Sequence, residues 1–257
     1  MRKTLVYFHY VSDSHLTNLH FKVLKYYANV FDEVKFCISI DDINDTSKIK
    51  DIQLRVFDIF SQKPIKITFY VYKNDIRFCE ALFFYNELSS KLNEYDLVYY
   101  AHGKGTQTGK DEQSIIHWFL SMYYYTLNDI QLIENEIGDN GQSMTFSNYL
   151  LYNTKDNFQT ESVFSTCYCG TYIWFNGKKI HNYITRNRIN IPLPVDRYYS
   201  ENFIGNITDE GYSTNNTILT DNDMCFKLYH DCYGVLKNIR KNNKGYIKFY
   251  KKILNNG

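Results

Sequence analysis

The chain has 257 residues, of which 44% are apolar and 22% charged, with a formal net charge of +1. That length supports one α/β domain with a sizeable core, and the near-neutral balance provides no overall field for nucleic acid or an anionic membrane surface. No run approaches the 18 or so apolar residues of a membrane span, residues 4–11 are too short for a signal h-region, and six scattered cysteines lack a disulfide-framework spacing; the expectation is a cytoplasmic protein with buried thiols and no transmembrane segment.

In chain order, residues 4–11 (TLVYFHYV) read as a buried strand, and 16–31 carry apolar positions at helical spacing. Residues 33–40 (EVKFCISI) form a second strand that stops at Asp41-Asp42, and 66–72 (KITFYVY) a third. A helix is predicted from about Asp75 to Leu92, then a fourth strand over 95–101 (YDLVYYA) that runs into His102-Gly103-Lys104-Gly105. Strands alternating with helices imply βαβ units and a mostly parallel sheet, in which ligands bind outside the carboxyl ends of the strands. Beyond this point a long helical pattern covers 111–137, a short strand 143–149, and a β-prone stretch 163–176. A helix follows near 178–186 and another starts near Asp196 or Arg197. Residues 206–220 read as a surface loop, and 224–254 as helical.

Chemistry-bearing residues gather at the predicted strand ends. Gly103 and Gly105 flank Lys104, so backbone can approach a ligand closely beside an ammonium, while His102 can donate a hydrogen bond or ligate a metal; the bland alternative is a tight turn with a surface lysine. Asp41, Asp42 and Asp45 can accept hydrogen bonds from a ribose or base edge, or can cap a helix and shape a turn. His9 can flank a base or be a core histidine. Gly170 and Trp174 suit a sugar-stacking wall or a packed core strand, and Trp118 reads as core. Glu201 can deprotonate an acceptor hydroxyl or pair with Arg197 one turn before it; Glu161 and Asp196 are further candidate bases. Cys167 and Cys169 lack the second ligand pair that a zinc site needs. The basic run Lys237–Lys252 is a solvated helix face or a patch for an anionic or lipid-linked acceptor.

Four segments in order carry a resemblance: Tyr100-Ala101-His102-Gly103-Lys104-Gly105, then Trp118 and Met122, then Gly170-Thr171-Tyr172-Ile173-Trp174-Phe175, then Arg197-Tyr198-Tyr199-Ser200-Glu201. Over roughly residues 70–205 the chain resembles a group of bacterial and viral sugar-transfer proteins. The resemblance implies a single GT-A (Rossmann-like) domain and sugar transfer from a UDP- or GDP-sugar to a glycan or lipid-linked acceptor. Such proteins commonly hold Mn or Mg with an Asp-x-Asp after the fourth strand. Here His102-Gly103-Lys104 stands in that place, and the late Asp221-Asn222-Asp223 reads as a helix cap, so metal dependence is left open.

The expectation is therefore an α/β fold, with donor half 1–105 and acceptor half 106–257. Glu201, Lys104 and His102 would carry the chemistry, His9, Asp41, Asp42, Gly103 and Gly105 the donor, and Gly170, Trp174 and Arg197 the acceptor or sugar. The rival is a catalytically silent nucleotide-sugar or glycan-binding module on the same fold. The sequence has no GxGxxG after its first strand and no phosphate-loop GxxxxGK, against dinucleotide and NTPase readings.

Overall fold

A computed structural model describes residues 1–12, 14–74, 79–103, 112–147, 151–152, 166–167, 172–191, 193–194, 199–200, 203, 212–213 and 243–255. Among them the elements follow as β1 (Lys3–Tyr10), α1 (His15–Tyr26), β2 (Glu33–Ile40), α2 (Thr46–Ile59), β3 (Lys66–Lys73), α3 (Cys79–Glu87) and β4 (Leu97–His102). The second half adds α4 (Glu112–Leu127), α5 (Ile130–Ile137), β5 (Thr145–Ser147), β6 (Leu151–Tyr152), β7 (Thr166–Cys167), β8 (Ile173–Asn176), α6 (Gly177–Asn187), β9 (Tyr212–Ser213) and α7 (Lys244–Asn255).

Among the described residues the main sheet has seven strands in the order β3-β2-β1-β4-β8-β5-β9, and β6 pairs with β7 apart from it. β1 pairs in parallel with both β2 and β4, whereas β8 runs antiparallel between β4 and β5. The fold is α/β with a mixed, mostly parallel sheet. Its chain order reverses at β1: the connection after β1 builds outward through β2 and β3, then β4 returns to the other side of β1. That is a topological switch point, the place in such sheets where ligands bind outside the carboxyl ends of the strands.

Alternation sorts the strands onto two cores. Leu5 and Tyr7, Phe36 and Ile38, and Tyr99 and Ala101 face α1, α2, α4, α5 and α7. Val6 and Phe8, Val98 and Tyr100, and Ile173 and Phe175 face α3 and α6. Both faces are covered, which explains why β1, β2 and β4 read as nearly continuous apolar runs. Several helices start where a side chain satisfies a first-turn N–H: Ser14 accepts from Leu16, Asp45 from Lys48, Asp129 from Leu132, and Asn176 from Lys179.

Three sequence expectations change. The pattern over 111–137 is two helices, because Asp129 caps a new one after Leu127. The expected loop 206–220 contains β9, whose two residues pair in parallel with β5. The chain between β2 and β3 contains α2, to which the sequence reading assigned no element. No helix among the described residues is long and apolar enough to cross a membrane.

Candidate functional site

Parity on the sheet brings the site together. Along β1, Val6, Phe8 and Tyr10 share one face; along β4, Val98, Tyr100 and His102 share the same one, and Phe8 lies in register with His102. The apolar stripe thus turns polar at the carboxyl edge, at the switch point. The first turn of α3 packs there and delivers Glu80.

Glu80 is the hub. Its Oε1 accepts from the Tyr100 hydroxyl at 3.0 Å and lies 3.1 Å from His102 Nδ1; its Oε2 lies 3.3 Å from the same nitrogen. The Tyr10 hydroxyl reaches Oε2 and the Ser200 hydroxyl Oε1, each at 3.4 Å. The Glu80 and His102 side chains are only 12% and 10% exposed, so these contacts act in a partly dehydrated setting where each is stronger than in water. Burial first, then the Glu80 charge, pushes the Tyr10 and Tyr100 hydroxyls far up, so both remain neutral donors. Glu80 has hydroxyl donors around it and sits in the first turn of α3, at the positive end of the helix dipole, a setting that suits a carboxylate.

The end of β4 is clamped on both sides. The Tyr172 hydroxyl donates to the His102 carbonyl at 2.7 Å, and the Gly103 N–H donates to the Phe8 carbonyl at 2.9 Å. Tyr172 also meets the His102 ring edge-on at 5.9 Å between centroids. Backbone position and ring orientation of His102 are set by separate contacts.

One strand further along, exposed Asp41 follows β2 on the same carboxyl edge. Its Oδ1 accepts from Asn74 Nδ2 at 3.0 Å, and Asn74 Oδ1 in turn accepts from the Ser39 hydroxyl at 3.1 Å. Asp42 instead accepts from the Asn44 N–H at 2.9 Å and shapes the turn, while Asp45 caps α2. The structure thus separates three carboxylates that sequence treated alike: Asp41 pairs with Asn74, Asp42 shapes the turn and Asp45 caps α2.

Two expectations are corrected. Trp174 is 0% exposed, stacks with Phe31, packs at a tilt against Tyr99 and donates its indole N–H to the Thr126 carbonyl at 2.6 Å, so it belongs to the core and offers no face to a sugar. His9 is also 0% exposed and points to the opposite sheet face, between Phe21 and Phe36 at 5.1 and 5.8 Å, so it cannot flank a base at this edge. Trp118 is core, as expected. Lys104, Gly105, Glu161, Cys169, Gly170, Asp196, Arg197, Glu201 and the Asp221-Asn222-Asp223 segment lie outside the described residues.

Glu80, Tyr10 and Ser200 were missed by the sequence reading. The available signal was the shared parity of Tyr10, Tyr100 and His102, three polar tips ending two apolar stripes. Among the described residues no group of three or more His, Cys, Asp or Glu comes together to hold a metal. Concavities lined by Lys22, Tyr26 and Lys252, and by Met144, Lys179 and Tyr183, include no residue of this cluster. No protein-family model matches the chain, and none of the curated proteins is significantly similar to it.

Proposed function

We propose that the chain is a glycosyltransferase that moves a sugar from a nucleoside diphosphate sugar to a hydroxyl of a glycan acceptor. The observation that carries this reading is the convergence of His102, Gly103 and Glu80 at the carboxyl edge, at the switch point between β1 and β4. Asp41 on the neighbouring strand end is suited to accept from ribose hydroxyls. A mostly parallel sheet flanked by helices is also what the GT-A resemblance leads one to expect.

In this reading the acceptor oxygen attacks the anomeric carbon, the bond from that carbon to the diphosphate breaks, and the acceptor proton passes to a base on the protein. Lys104, next but one after His102 in sequence, would neutralise the departing diphosphate, an interaction stronger in the transition state than in the ground state. Glu201 is the base that the resemblance suggests, with Arg197 and Gly170 on the acceptor side.

A thermal-shift screen tests the reading. A UDP- or GDP-sugar should raise the melting temperature, because a ligand bound only by the folded state stabilises it by mass action, and ATP should do so much less. Transfer to an acceptor by the donor that stabilises then follows. Indifference to every nucleotide sugar, with and without Mn²⁺, would overturn the reading; binding without turnover would favour the silent module.

A further inference from the structure

We infer that Glu80 is a positioning residue for His102, and that it makes His102 Nε2 the atom that takes the proton from the acceptor hydroxyl. The second part rests on the sugar-transfer reading; the first does not.

The inference begins with what a carboxylate can do. An ionised Glu80 only accepts hydrogen bonds, so the contact at 3.1 Å from His102 Nδ1 requires a proton on Nδ1. A neutral imidazole carries one N–H, which leaves the lone pair on Nε2. Glu80 therefore selects the tautomer. Its own geometry is held by Tyr100 from β4, Tyr10 from β1 and Ser200 from beyond α6, while Tyr172 holds the His102 backbone. Five chain segments converge to orient one ring.

Such a wall of donors is more than a buried ion pair needs. If Glu80 merely neutralised a charged histidine, the tyrosine hydroxyls would dilute that attraction by sharing the same oxygens. As the orienter of a base they have a purpose: they keep the carboxylate ionised and stationary while the ring gains and gives up a proton. During transfer the hydroxyl proton moves to Nε2, the new bond forms to the anomeric carbon, and the diphosphate leaves with the electron pair of the old one. The imidazolium then faces a carboxylate that stabilises it, the arrangement of an acid–histidine pair in hydrolases. This assigns the base to the end of β4 instead of to Glu201.

Two measurements test it. In histidine-labelled protein, ¹⁵N NMR should show neutral His102 protonated at Nδ1, and Glu80→Gln, whose amide can either donate or accept, should yield a mixture of tautomers. Wild-type His102 protonated at Nε2 overturns the inference whatever the protein transfers. In turnover, Glu80→Gln should lower kcat on the order of 10²–10⁴-fold with the donor KM within about threefold. The same change in a His102→Ala background should have almost no further effect, since Glu80 acts through the ring. A full additional loss in that background would overturn the positioning role. If wild type transfers from no donor, the sugar-transfer reading falls and the proton assignment with it, while the tautomer result still decides whether Glu80 positions His102.

Discussion

His9 occupies the end of β1 with both ring nitrogens buried and without hydrogen-bond partners. Burial first, then the nearby His20 and Arg55, pushes it down to about 3. Between its ordinary value near 6.5 and about 3, the unfolded chain takes up a proton there and the folded protein does not. Stability from this position is therefore complete above about pH 6.5 and falls as pH drops, by about 1.4 kcal/mol for each pH unit crossed. His9→Phe, which keeps a ring between Phe21 and Phe36, should flatten the acid limb between pH 6.5 and 4 in urea titrations. An unchanged slope would show that other groups set the acid sensitivity. Lys104→Ala is the matching test at the proposed site: turnover at saturating donor should fall on the order of 10²–10³-fold, whereas a mere turn lysine would leave turnover intact and shift stability by no more than about 0.5 kcal/mol. Legibility differed by residue for a physical reason. His102 and Gly103 were readable because a strand's end is marked by its own pattern. Glu80 was not, since a glutamate in a helix looks solvated until Tyr10, Tyr100 and Ser200 arrive from distant segments. Trp174 misled because the same ring suits a sugar or a core.

At the scale of elements, Asn176 joins three of them. It is fully buried at the end of β8, its Oδ1 caps α6 through the Lys179 N–H, and its Nδ2 donates to the Ile137 carbonyl at the end of α5 at 3.0 Å. Asn176→Ala removes a cap and strands a buried carbonyl, and should cost about 2–3 kcal/mol by urea unfolding. Asn176→Asp retains the cap but replaces the donor with a buried charge, and should destabilise at least as much. A loss below about 1 kcal/mol for either variant would mean that the junction rearranges to satisfy these groups. The first four strands were legible because each runs apolar between polar ends. α2 was not, since Ile52, Val56 and Ile59 are its only buried positions and the rest of its surface is polar enough to pass for a loop. The break at Asp129 was equally hidden, because helical periodicity continues on both sides of it.

Over the whole molecule, stability should be graded across the sheet. β1 is hydrogen-bonded along both edges and covered on both faces, whereas β9 contributes two residues at the far edge. Amide hydrogen exchange should be slowest in β1 and β4 and much faster in β5, approaching the global unfolding free energy only in the former. Uniform protection from β1 to β5 would show a single cooperative unit instead. The reversed β8 bears on how such a chain is made. It slots between β4 and β5, two strands that precede it in the chain and run parallel to each other, one strand's width apart. During synthesis, β4 is therefore complete some seventy residues before its partner leaves the ribosome, and until then its Leu97–Tyr100 edge offers unpaired N–H and C=O groups to any passing strand. A fragment stopping at residue 147 should associate with itself through that edge, and supplying the β8 segment is what should quench it.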